Sequence, residues 1–174
     1  MALPKLPFLN EDAADLMIAH FKSNFNAYLK DIDFKYSDGL SLEPVEEQSI
    51  YISDKYEALQ PPAVYFLFGE MAFNYTNDEN YLSASNSCVV VLSFEEKDAN
   101  DMTRKAWRYA RALFGIFNLV VLNSADGRLE MKCVPRRLGY SDDKVADKMS
   151  QRERKFRKDC VLELELMHFE KNLT

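Results

Sequence analysis

The segment Cys160–Phe169 alternates strictly. Cys160, Leu162, Leu164 and Leu166 fall on one face, and Val161, Glu163, Glu165 and Met167 on the other. A period of two is the signature of a β-strand with one buried and one wetter face. A chain ending this way must build a sheet, and must cover one side of it. The other side then presents two glutamates side by side.

The cover is readable as well. Residues 99–119 place Met102, Ala106, Tyr109, Ala110, Leu113, Phe114 and Phe117 on one helical face, and Arg104, Lys105, Arg108 and Arg111 on the other. Asp98 or Asn100 caps this helix, with Asp101 in its first turn. A second amphipathic helix spans residues 11–32, through Met17, Ile18, Phe21, Phe25, Tyr28, Leu29 and Ile32, with Asn10 as N-cap. Further strands are expected at Ala63–Phe68, led by Pro61-Pro62, at Cys88–Phe94, and at Leu129–Val134, which Pro135 should end or interrupt. The run Cys88–Val91 is apolar on both faces, as in a strand central to its sheet. A short strand is possible near Ser49–Ile52.

The order helix, two strands, helix, two strands implies an α+β fold. We expect an antiparallel or mixed four-stranded sheet with two helices packed on one face and extended loops. With 174 residues and 47% hydrophobic composition the chain suits a single domain, 1–174, with an adequate core. Two segments lack a period: an acidic extended linker over 33–61, and a charged loop or arm over 136–158.

Charge is distributed unevenly. The formal total is −6. Residues 128–158 carry 11 basic against 5 acidic residues, so the remainder is strongly acidic. Three readings fit the basic stretch: a solvated hairpin loop, an arm docking on an acidic patch of a neighbouring subunit, or a nucleic-acid contact. The last is the poorest fit, because only Tyr140 and Phe156 offer stacking among the basic residues.

Chemistry is sparse. His20 and His168 have no metal-spaced partner nearby and read as structural. Three cysteines in apolar stretches read as buried thiols rather than a disulfide framework. There is no phosphate loop, nucleophile elbow or zinc-protease motif. The acid pairs Asp31/Asp33, Glu46/Glu47, Glu95/Glu96 and Glu163/Glu165 read as solvated surface. We therefore expect no enzyme, no cofactor and no metal. No apolar run approaches the roughly 18–20 residues of a membrane span, and the N-terminus lacks a signal-peptide core. The expectation is a soluble protein made inside a cell.

The element order supplies one more lead. An amphipathic helix, an extended linker, the Pro-led strand Pro61-Pro62-Ala63-Val64-Tyr65-Phe66, a second strand at Ser87–Phe94, a long helix at Asp98–Leu119 and two closing strands together resemble the tail terminator, or tail-completion, proteins of long-tailed bacteriophages and their neck-protein relatives. The resemblance implies a virion protein at the head–tail junction, assembled in the host cytoplasm. It implies a homo-oligomeric ring, of hexamer type, that ends tail-tube polymerisation. Its partners would be the tail tube protein and a head-side connector or stopper, with DNA crossing the lumen without specific binding, and no membrane. On that reading Glu163 and Glu165 face the channel, and Arg136, Arg137, Arg152, Arg154, Lys155 and Arg157 belong to an inter-subunit arm. The alternatives are a head-completion or connector neck protein, and a small non-enzymatic protein-binding module.

Overall fold

The structure is a computed structural model. It describes residues 10–52, 61–74, 81–141, 144–145 and 155–171. Helix α1 (Asn10–Tyr36) is followed by a 3-10 turn and strand β1 (Ile50–Ile52), then β2 (Ala63–Asn74) and β3 (Tyr81–Glu96). Helix α2 (Ala99–Phe117) leads to β4 (Val121–Asn123), β5 (Leu129–Tyr140), β6 (Lys144–Val145) and β7 (Phe156–Lys171). The sheet order is β1-β2-β3-β7-β5-β4, with β6 beside β7. Among the described strands, only β1 and β2 run parallel. Both helices pack on one face, as expected, and β3 is central.

The strand count differs from the sequence expectation. The four long strands are the four expected ones, β1 is the short strand expected near Ser49–Ile52, and β4 and β6 are short additions. The long strands also run further than their apolar segments. β3 and β7 each have 16 residues, about 50 Å of extended chain. Beyond the helices neither face needs to be apolar, so Ser83, Ser85 and Ser87 continue β3 without a hydrophobic signal. Pro135 does not end β5. It sits where a bulge between Pro135 and Arg137 absorbs the missing N–H, one of the few strand positions a proline tolerates.

The core lies between the helices and the sheet. Met17, Phe21, Phe25 and Leu29 of α1 meet Val64 and Phe66 of β2, and α2 adds Met102, Tyr109, Leu113 and Phe117. Phe21 stacks on Phe25 at 4.4 Å between centroids and meets Phe66 edge-on at 5.8 Å. Cys88, Cys133 and Cys160 stand on this same face, one each from β3, β5 and β7, all free and buried. Burial pushes their thiols up, Cys133 and Cys160 to about 12.

Three local expectations need correction. The helix α2 is capped by Asp98, whose Oδ1 accepts from the N–H groups of Asn100 (2.8 Å) and Asp101 (3.1 Å), as expected. Its two faces are less clean than the sequence suggests. Lys105 and Arg108 are buried, while Phe114 is exposed. The reason is pairing: Lys105 reaches Glu96 at 2.6 Å, and Arg108 binds Asp38 while donating to the Leu40 carbonyl at 2.9 Å. The Arg108 bond holds the Asp38 carboxyl below its ordinary value. Asn10, expected as an N-cap, uses its amide elsewhere. It donates to the Gly69 carbonyl and accepts from Asn86.

The acidic linker is the third. Helix α1 continues four residues past its expected end, and the chain beyond it is fastened to the body. Leu42 and Val45 enter the core. Asn26 bonds both backbone groups of Val45 at 3.1 Å, and the Tyr109 hydroxyl meets both the N–H and the carbonyl of Glu43 at 2.9 Å. Two side chains thus supply the pairing that a neighbouring strand would otherwise give. Residues 53–60 of the expected linker lie outside the described residues.

Candidate functional site

The uncovered face of the sheet collects the residues the sequence singled out. In register, Ser83, Ser85, Ser87, Val89 and Val91 of β3 stand opposite Phe169, Met167, Glu165, Glu163 and Val161 of β7. Directly opposed residues of an antiparallel pair share a face. Val134 and Arg137 of β5 complete the row beside Glu165 and Glu163.

Glu163 and Glu165 therefore lie on the face opposite the core, as the alternation predicts. They do not stand as bare acids. Arg136 Nε donates to Glu165 Oε2 at 2.8 Å, and Arg137 Nη1 lies 3.6 Å from Glu163 Oε1. The bulge after Pro135 sets this arrangement, because its extra residue lets two consecutive arginines reach the same face as the two glutamates. All four side chains remain substantially accessible. Arg136, Glu163 and Glu165 line, with Ser85 and Ser87, a shallow concavity of about 380 Å³. One arginine thus stands there against two glutamates, and only with Arg137, paired to Glu163, is the charge of this row balanced.

The proposed arm is placed only in part. Arg136 and Arg137 are strand residues of β5, not loop residues. Lys155 and Arg157 flank the start of β7 and pair with Glu95 of β3 at 3.8 and 3.3 Å. Arg152 and Arg154 lie outside the described residues. Within 136–158, then, the described part is a long β5–β7 hairpin, extended by the pairs Lys144↔Arg157 and Val145↔Phe156. The sequence misses this because charged residues on an uncovered hairpin leave no apolar period.

The far part of this face is not open. Ala63, Tyr65 and Val91 are buried there, with Tyr51, Leu67, Val89 and Val161 around them, and Tyr51 stacks on Tyr65 at 5.5 Å. The sequence reading missed the serine row as well. Its signal is present in Leu82-Ser83-Ala84-Ser85-Asn86-Ser87, which alternates with period two at low hydrophobicity.

The two histidines are structural, as expected. His20 Nε2 donates to the Ile116 carbonyl at 2.8 Å, tying α1 to α2. His168 is buried on the core face of β7, and its Nε2 donates to Asn86 Oδ1 at 2.8 Å. Its Nδ1 has no partner among the described residues. Burial lowers its pKa to about 4. Among the described residues no group of three or more His, Cys, Asp or Glu is placed to hold a metal ion. No helix among them is long and apolar enough to cross a membrane.

No known protein family matches this chain, and no curated protein does. Among solved structures, a chain in the virion of a native gene transfer agent particle is similar to it. The TM-score is 0.39 at 15% identity, over 70% of this chain and 80% of that one.

Proposed function

We propose that this chain is a structural virion protein: a tail terminator that forms a ring at the top of a phage tail tube, stops tube growth and joins the tail to the head connector. The observation that carries the reading is the charge-balanced polar face of the sheet. Helices occupy the opposite side, so this face is free to line a lumen. A free arginine on such a wall would grip phosphate and release counterions. Here Glu163 and Glu165 occupy Arg137 and Arg136, so the wall neither holds DNA nor strongly repels it. DNA passes because the two arginines beside the glutamates are already engaged.

Two measurements test this. The mass in solution and the outline in negative stain should give a closed ring of about six subunits with an open lumen, the cyclic symmetry such a cap needs. A ring of about twelve points instead to a connector, and a monomer at all concentrations to a binding module. Separately, Glu163→Gln with Glu165→Gln frees both arginines. Duplex DNA should then be retained, with an affinity that falls as salt rises, whereas the unaltered ring retains none. Two new phosphate contacts per subunit predict a log–log salt slope steeper by roughly 2 for each subunit engaged. Equal DNA retention by both proteins would remove Glu163 and Glu165 from the lumen wall.

A further inference from the structure

Each flank of the sheet is half covered, on opposite diagonals. β1 pairs with Val64–Phe66 of β2, leaving Leu67–Asn74 with no strand beyond it among the described residues. β4 pairs with Glu130–Lys132 of β5, leaving Val134–Tyr140 likewise open. The two open stretches are nearly equal in length, eight residues and seven. Register places them at different heights. Leu67 lies level with Arg137, through Val89 and Glu163, and Phe73 lies level with Met131, through Ala84 and His168.

We infer that these two open edges pair with each other between copies of this chain, the open half of β2 against the open half of β5 of the next subunit, making one continuous sheet around the ring. An exposed edge of this length is a template for strand addition. A second copy is the occupant that fits. With the two stretches fully engaged, Phe68 would face exposed Tyr140 and Met71 exposed Leu138 on the helix side of the sheet. On the other side, exposed Glu70 would meet Arg136 and Arg137, whose side chains remain 60% and 74% accessible. The contact joins two different patches, so it is head-to-tail and can close into a ring. Strand directions follow as well. β2 and β5 run oppositely within one subunit, since three antiparallel pairings separate them. Neighbours related by rotation about a ring axis therefore meet antiparallel. Full engagement needs each copy displaced by about four residues, roughly 13 Å along the strands. Closed barrels require such a stagger, which they meet by tilting their strands. In this reading β1 and β4 act as stops that fix the stagger. The Gly69 carbonyl within the β2 edge is already taken by Asn10, which leaves the remainder of the edge for the neighbour.

The inference rests on the ring reading above, and the test separates the two. Glu70→Arg with Ala72→Arg makes the β2 edge basic. A second variant exchanges both internal pairs (Arg136→Glu, Arg137→Glu, Glu163→Arg, Glu165→Arg), which keeps the ion pairs and makes the β5 edge acidic. Each variant alone then sets like charges against each other at every subunit contact. Mixed, every contact is again between opposite charges. Circular dichroism and thermal melts check that both are folded, and solution mass is the readout. We expect each variant alone to lose the ring species and an equimolar mixture to regain it. Rings from either variant alone, at native yield, overturn the edge pairing and leave the ring reading standing. Mixture-dependent chains of no fixed mass support the pairing and overturn the ring. A native chain that is monomeric at all concentrations overturns both.

Discussion

Phe21→Ala is expected to destabilise the fold by about 3–5 kcal/mol, the usual range for truncating a fully buried phenylalanine. Phe21 is 1% exposed and stands where α1 meets the sheet, stacked on Phe25 and edge-on to Phe66. Removing its ring deletes both aromatic contacts and leaves a void that neither helix nor sheet can collapse around, because α1 is also held by His20 and Asn26. Against a total stability of roughly 5–15 kcal/mol this is a large fraction. For a chain of this size the melting temperature should fall by about 10 °C. Urea denaturation checks it: the midpoint should drop with the slope unchanged. A loss under 1 kcal/mol would mean that Phe21 is not packed as described.

The second large effect is a pH dependence. His168 is held neutral, its pKa lowered by burial from 6.5 to about 4. In the unfolded chain the same group takes up a proton below about pH 6.5. The unfolded state therefore binds more protons than the folded one across this window. The contribution is fully present above pH 6.5 and is lost as the pH falls toward 4 and below. Integrated over that interval it comes to about 3 kcal/mol. Denaturation at pH 7, 5.5 and 4 should show most of this loss in the native protein. His168→Leu should start less stable at pH 7, since Asn86 Oδ1 then loses its donor, yet fall less steeply with acid. Parallel pH profiles for the two proteins would show that His168 is not the group responsible. Asp38, Glu96 and Asp126 are all held below their ordinary values. Their contributions begin to fall away near their ordinary values, 4.5 for Glu96 and 3.8 for the two aspartates, so they add to the loss at the pH 4 end, and the comparison with His168→Leu isolates the histidine.

The sequence reveals an element where a covered surface repeats with the element's own period. The α2 face from Met102 to Phe117, the alternation of β7 and the apolar run of β3 are legible for that reason. Where cover stops, the signal stops, although the structure continues. The outer halves of the β2–β3 and β5–β7 hairpins carry serine, asparagine and arginine, and only backbone pairing with β3 and β7 tells them from loops. The acidic stretch after α1 is obscured differently. Its two apolar anchors, Leu42 and Val45, are too few to show a period, and its hydrogen bonds come from Asn26 and Tyr109, 19 and 66 residues away from their partners. At the candidate site, alternation places Glu163 and Glu165 on the right face. Their pairing with Arg137 and Arg136 depends on a bulge, and a shift of one residue there would send one arginine to the other face. Charge counting therefore finds the basic segment but not that Arg136 and Arg137 are already engaged.

The three buried cysteines give the molecule a built-in reporter of its own opening. Each sits within a different long strand, on the face sealed by the helices. Each is kept protonated by its surroundings, so a thiol reagent in solution meets neither an exposed sulfur nor a thiolate. Labelling must wait until the helical layer lifts from the sheet. Its rate then measures how often β3, β5 and β7 are laid bare, without any change to the sequence. Because the three thiols fall under different parts of the two helices, their order of labelling would show which end of the layer parts first.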